Sequence, residues 1–316
     1  MSMEFIIQID KKVYEISELV NSVSYTDKLN DGCSKLEFSY IDDELMIENG
    51  SIISFKYDNT GVFYGFVFKH GRNSKGEVTV TAYDQLRYCK AKDTIVARKN
   101  TIADMVKKMC TFFSLRVGYL SNTTYILPTK VHSDKTWLDI VYDGISDNLY
   151  NKAEWYSLRD EFGYIALRNI ADLSLNVTLG DGSLCYDYTC EKSIDEDFYN
   201  QVKLVSKNEK TGRPDVYITK DSASIQKYGL LQYFEVIDEN ANYSKAKAQA
   251  DVLLKLYNQE SNKINLECLG DVRIRAGSSF YGQIEDAGIE NKRLIVRSVT
   301  HKFLPIHTMS LEVTLW

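Results

Sequence analysis

Short runs in which apolar and polar residues alternate, each closed by a polar turn, recur through the first ninety residues and restrict the chain to a β-rich fold. In KLEFSY, Leu36, Phe38 and Tyr40 alternate with Lys35, Glu37 and Ser39, so an extended chain puts the two sets on opposite faces. Gly50-Ser51 opens IISFKY, Asp58-Asn59-Thr60-Gly61 reads as a hairpin turn into VFYGFVF, and Asn73-Ser74-Lys75-Gly76 leads into EVTVTAY. Such spacing predicts a small barrel or sandwich. The 22 tyrosines and 13 phenylalanines agree, because bulky rings suit a pleated, half-exposed surface.

After Lys90 the period changes. Thr101 and Asp104 form a cap pair ahead of Ile102, Met105, Val106, Met109 and Phe113, which recur at helical spacing. Thr136 and Asp139 precede a second such stripe, Trp137, Ile140, Val141, Gly144, Ile145 and Leu149. WYSLRDEFGYIALRNI then reads as two strands about a turn near Glu161 to Gly163. From about Leu184 strands return in QVKLVS, PDVYITK, INLEC, RLIVRSVTH and TMSLEVTLW. One helix interrupts them, with Ala246, Ala250, Leu253, Leu254 and Tyr257 on one stripe and Ser244 as its cap. At 316 residues the chain exceeds one ordinary core. We expect a mainly β fold with an α+β insertion: a first β-barrel over 1–95, an α+β middle module over 96–183, and a second β-barrel over 184–316 carrying a helix near 244–258. Gly277-Ser278 and Glu312-Val313-Thr314-Leu315 echo Gly50-Ser51 and Glu77-Val78-Thr79-Val80, a pattern that either a duplication or chance would give.

Catalytic signatures are missing. His301 and His307 stand six apart across a proline, not in the i, i+4 pairing of a metallopeptidase helix, and like His70 and His132 they read as surface or satisfied strand residues. No G-x-S-x-G elbow occurs. Cys110 falls late in its helix, where the dipole disfavours a thiolate, so a core role is expected. The six cysteines, with no C-x-x-C pair, read as free thiols in a reducing cytoplasm. The carboxylate runs Asp42-Asp43-Glu44 and Asp195-Glu196-Asp197 could in principle serve glycoside hydrolysis, but solvated turns are the ordinary reading. No catalytic, cofactor-binding or metal-ligating residue is therefore assigned. A net charge of −6 argues against a dedicated nucleic-acid binder. No signal peptide or membrane span is read, so no membrane anchoring is expected.

LGDVRIRAGSSFYG, residues 269–282, invites a phosphate-cradle reading. It lacks the lysine of G-x-x-x-x-G-K-[ST], and no helix follows it. Read as a strand, it puts Arg273 and Arg275 on one face, free for solvent or a partner, with Val272 and Ile274 on the other.

Taken in order, YGFVFKHGRNSKGEVTVTAYDQLRYCKAKDTI, NTIADMVKKMC, EKSIDEDFYNQVKLVS, DSASIQKYGLLQYFEVID, ANYSKAKAQADVLLKLYN and LGDVRIRAGSSFYG resemble the hub proteins of contractile phage-tail baseplates, particularly those of PBSX-type prophages and tailocins. More remotely the chain resembles late-control tail proteins and the hub part of type VI secretion spikes. The resemblance implies two barrels similar to tail-tube subunits with an α/β insertion. It also implies a homotrimer that joins a six-fold tail tube to a three-fold spike and lines a channel through which DNA can pass. The implied partners are the tube protein, the central spike protein and other baseplate proteins, in a phage or tailocin particle assembled in the bacterial cytoplasm. No fused lysozyme or peptidase domain is read, so cell-wall cutting is expected of a separate protein. Arg273 and Arg275 are the candidate lumen or subunit contacts. A tail-tip peptidoglycan hydrolase and a glycan-binding tail module are the alternatives.

Overall fold

The alternating segments become strands of one large, mostly antiparallel sheet in the computed structural model, which describes residues 2–41, 45–195, 197–207, 213–237 and 243–316. The carboxylates Asp42, Asp43, Glu44 and Glu196 lie outside the described residues. The chain divides into two compact units, Met1–Thr189 with Ile264–Trp316, and Cys190–Lys263. The fold is mainly β, as expected.

The strands of the large sheet follow one another as Cys185–Ser193, Ser261–Leu269, Thr308–Leu315, Ile289–Lys302, Val20–Lys28, Lys35–Ile41, Glu77–Tyr83, Thr60–Arg72, Ile52–Tyr57, Met3–Ile9 and Lys12–Glu15. Ile289–Lys302 is the bridge. Its first half pairs with Ser279–Ile284, its second half pairs with Val20–Lys28, and most of its length pairs with Thr308–Leu315. The turn predicted at Asp58-Asn59 forms with both residues at positive φ (46° and 62°) and Tyr57 opposite Thr60, the mirror-image turn that matches strand twist. The inward sets meet in two cores. One holds Phe5, Tyr25, Phe38, Tyr40, Phe55 and Phe63, and the other Leu266, Ile274, Phe280, Leu294, Val299 and Leu311. Each fully buried aromatic or aliphatic side chain contributes about 1.5–3 kcal/mol.

The two β regions repeat one another. Met3–Ile9, Ile52–Tyr57, Thr60–Arg72, Glu77–Tyr83, Lys35–Ile41 and Val20–Lys28 are successive neighbours in the first. Ser174–Gly180, Ser279–Ile284, Ile289–Lys302, Thr308–Leu315, Ser261–Leu269 and Cys185–Ser193 are successive neighbours in the second. The echo heard in the sequence is the anchor of this repeat. Gly50 N–H donates to Val67 C=O (2.8 Å) and Val67 N–H donates to Ser51 C=O (2.9 Å), while Gly277, Val296 and Ser278 form the same two bonds at 2.9 Å each. Ser51 Oγ accepts from Glu48 N–H at 3.3 Å, and Ser278 Oγ from Arg275 N–H at 3.2 Å. The repeats differ in one strand: Met3–Ile9 runs antiparallel to its neighbour, whereas Ser174–Gly180 runs parallel.

Between the repeats lie helices α1 (Ile102–Phe112) and α2 (Trp137–Lys152), the pair Lys92–Ala97 with Lys130–Thr136, and a sheet of Tyr156–Asp160, Ile165–Asn169 and Val117–Leu120. Both expected capping boxes form, Thr101 with Asp104 and Thr136 with Asp139. Met105, Val106, Met109, Cys110, Ile140, Val141 and Ile145 share one buried core.

In the smaller unit, Gln201–Ser206 lies between an antiparallel Asp215–Lys220 and a parallel Gln232–Ile237. The short helix α3 (Ser222–Tyr228), capped by Asp221, falls between the last two strands in the chain. Val202, Leu204 and Tyr217 pack against Ala246, Ala250 and Leu253 of α4 (Tyr243–Tyr257). Ser244, expected as the cap, lies one residue inside that helix.

Gly50 and Gly277 take φ of +90° and +85°, a region strained for any residue with a Cβ by about 1–3 kcal/mol. A Cβ on Gly50 meets open space, but one on Gly277 lies 3.2 Å from the Ser157 side chain. Gly50→Ala is expected to destabilise by about 1–2 kcal/mol, the backbone strain alone, and Gly277→Ala by more. Urea unfolding of both variants checks this, and an equal or smaller cost at Gly277 would contradict it.

Candidate functional site: a buried charge network around Arg275

Residues Asp271–Ser278 do not form the expected strand. Two consecutive turns replace it, closed by Ile274 N–H to Asp271 C=O (3.0 Å) and Ser278 N–H to Arg275 C=O (2.9 Å). The two arginines consequently part company. Arg273 is 64% exposed and grips Asp271 through Nε (2.9 and 3.1 Å) and Nη2 (2.6 Å). Arg275 points inward, with its Nε 3.0 Å from Asp27 Oδ2 and its Nη1 donating to the Asp160 carbonyl at 3.0 Å. Its guanidinium carbon lies 5.9 Å from the centroid of the Tyr25 ring. The expectation that both arginines share one open face is thereby corrected: alternation mimicked a strand, and a distant carboxylate claimed one of them.

The network gathers the first repeat, the middle module and the second repeat around one cation. Arg275 stays charged because its pKa is far above neutrality, and the buried Asp27 supplies the counter-charge. Next to it, Asp160 Oδ1 accepts from Gly163 N–H (2.6 Å) and Oδ2 from Gln85 Nε2 (3.1 Å). Asp84 accepts from Ser34 N–H (2.8 Å), Ser34 Oγ (2.6 Å) and Leu86 N–H (2.9 Å). Burial raises Asp84 to about 8, with the Asp160 charge adding to it, and burial raises Asp160 to about 6. Glu161 goes the other way. Against its own burial, hydrogen bonds from Arg168 and the neighbouring Arg159 charge hold it at about 2. Arg159 bonds it at 2.8–2.9 Å and Arg168 at 2.7–2.9 Å.

His301 and His307, read as unrelated strand or surface residues, are a buried pair. His301 Nε2 lies 2.9 Å from the Ile274 carbonyl, and His301 Nδ1 lies 3.0 Å from His307 Nε2. A carbonyl only accepts, so Nε2 of His301 carries the proton, its Nδ1 accepts, and His307 donates. Burial holds both rings neutral and lowers His301 to about 4. His70 is exposed and bonds Asn49 (3.1 Å), while the buried His132 lies 3.6 Å from Asp143. Cys110 is in the core, as expected.

Perturbed carboxyls often mark catalysis, but here Asp84, Asp160 and Glu161 bond to backbone, Ser34, Gln85 or arginine within the fold. The chemistry on offer is cohesion: a desolvated ion pair ties together segments remote in sequence. The signal that would have found it, an aspartate and an arginine 248 residues apart, carries no local pattern.

Comparisons with known proteins agree with the fold. The model of the YQBQ-like family matches residues 23–314. The phage-like element PBSX protein XkdQ of Bacillus subtilis is 26% identical over 271 residues, covering 84% of this chain and 82% of that protein. The 43 kDa tail protein of prophage MuSo2 from Shewanella oneidensis superposes with a TM-score of 0.73 at 11% identity, covering 98% of this chain and 97% of the other. An Escherichia coli type VI secretion component, described as similar to phage T4 tail proteins gp27 and gp5, gives 0.55 at 11% identity, covering 94% and 73%.

Two outcomes follow. Asp27→Asn leaves the Arg275 charge buried and is expected to cost about 3–5 kcal/mol, whereas Asp27→Leu with Arg275→Met is expected to cost less than the sum of its single changes. Denaturant unfolding of the four proteins checks the cycle. For His301, a folded pKa below the unfolded value means that its contribution is complete above pH 6.5 and is lost as pH falls toward 4. Stability of the parent relative to His301→Gln is expected to drop by up to about 3 kcal/mol across that window. A flat difference curve would refute the assignment.

Proposed function

The chain belongs to the YQBQ-like family, and from that premise we propose that it is the structural hub of a contractile-tail baseplate, working by assembly rather than turnover. The XkdQ protein of a phage-like element and the prophage MuSo2 tail protein support a phage tail or baseplate structural protein. The observation that carries the hub reading is the internal repeat. Two sets of six strands share one neighbour order and one Gly-Ser anchor. Three copies of such a chain present six similar β units about an axis, the count a six-fold tube requires, while three-fold symmetry remains for a spike. In this reading residues 1–95 and 184–316 each bring one tube-like barrel, and 96–183 the insertion between them. The contacts in such a ring are heterologous and close cyclically.

The partners are two further copies of the chain, the tube protein, the central spike protein and other baseplate proteins, in a particle assembled in the cytoplasm. Among the described residues no helix is long and apolar enough to cross a membrane. The net charge of −6 suits a lumen through which DNA passes without adhering. Arg273, exposed and braced by Asp271, is the candidate lumen or subunit contact. Arg275 serves the interior.

The test is the mass of the chain in solution, alone and with its spike and tube proteins. A three-chain assembly is expected, and a two- or four-chain assembly, or one hub chain per complete spike, would overturn the proposal. Arg273→Glu is expected to weaken co-assembly by roughly tenfold without lowering the unfolding midpoint of the isolated chain. Clearing of peptidoglycan by the purified chain would favour a hydrolase instead.

A further inference from the structure

Cys185 and Cys268 stand on neighbouring strands of the second repeat, Cys185–Ser193 and Ser261–Leu269. Leu269 N–H donates to Leu184 C=O at 2.9 Å, and farther along Asn265 Nδ2 donates to Thr189 Oγ1 at 3.0 Å. The strands therefore run antiparallel with Leu184 opposite Leu269. That bonded pair places Cys185 and Cys268 directly opposite one another at a position without ladder bonds. There, Cα atoms approach to about 4.5 Å and side chains converge, inside the span of about 4.4–6.8 Å that a disulfide bridges. Both side chains face the same core, Cys268 fully buried and Cys185 half-buried at its edge. The Cys185 strand closes one end of the sheet order, which leaves its thiol the accessible member.

We propose that Cys185 and Cys268 are a thiol–disulfide site, at which a small-molecule disulfide such as oxidised glutathione converts two thiols into a reversible cross-strand bond. The Cys185 thiolate attacks one sulfur of the reagent, whose S–S bond breaks and releases one thiolate that takes up a proton. Cys268 then gives up its proton to solvent and attacks the Cys185 sulfur, expelling the second reagent thiol. The two cysteines lose two electrons and two protons, and the reagent gains them. The local chemistry favours this order. The neighbouring Cys268 thiol lowers Cys185 to about 7, and the same contact, with burial, raises Cys268 and keeps its proton in place until attack. Burial raises Cys33 and Cys110 to about 11 and raises Cys89 as well, so these core thiols are poor nucleophiles.

The consequence is topological. The strands bearing Cys185 and Cys268 lead the chain into and out of the smaller unit, Cys190–Lys263. A bond between them would close that whole unit into a covalent loop. This inference does not depend on the hub reading.

The full-length folded chain, incubated with oxidised glutathione at neutral pH, is denatured in an alkylating reagent and examined by intact mass and non-reducing peptide mapping. Free thiols are expected to fall from six to four, with Cys185 and Cys268 in one cross-linked peptide pair and full recovery on reduction. Cys268→Ser is expected to retain glutathione on Cys185 without closure. Six alkylated cysteines, glutathione held on Cys185 of the parent chain, or a bond from either cysteine to Cys190 would each overturn the proposal. Because the parent map decides alone, a variant that fails to fold leaves the outcome intact.

Discussion

The contact of Arg275 with Asp27 is the constraint around which the larger unit is arranged. It joins a turn inside the second repeat to a strand of the first, and the same guanidinium reaches the Asp160 carbonyl of the middle module. A charge buried this far from water is tolerable only when its donors are satisfied. Three regions of chain must therefore be in register together, or the cation is stranded. Beside it, Ile289–Lys302 carries the sheet from one repeat into the other, so the ion pair and the bridging strand enforce the same alignment.

The internal repeat accounts for where both features stand. In each repeat a glycine at positive φ and a buried serine fasten the start of one strand to a valine in the next. Position for position, Arg275 in the second repeat stands where Glu48 stands in the first, since each offers its N–H and C=O to the serine that follows. The backbone motif is the same in both while the side chains differ in use: in the second repeat the side chain is the tie to the first.

Much of this was legible in the sequence, because it is written locally. Alternation in KLEFSY and EVTVTAY, the capping pairs Thr101/Asp104 and Thr136/Asp139, and the hairpin about Glu161 depend on neighbours within a few positions. The candidate site was not legible, for the converse reason. Val272 and Ile274 between two arginines have the period of a strand, yet that stretch turns twice; nothing nearby announces that Asp27 will take Arg275. His301 and His307 likewise look idle until the closing hairpin brings them to 3.0 Å. The parentage of the fold showed in many weak, ordered likenesses rather than in one motif.

The bridging strand also imposes a schedule. Val20–Lys28 can pair with Lys35–Ile41 as soon as both have been made, but its other edge waits for residues Ser298–Lys302. About 270 residues separate the partners, so at ordinary synthesis rates that edge is bare for roughly 15–50 s on the ribosome. Unpaired strand edges template association with other chains, and neighbouring nascent chains on one message carry the same edge. Until Ser298–Lys302 are made, that edge is open to the same edge of a neighbouring chain.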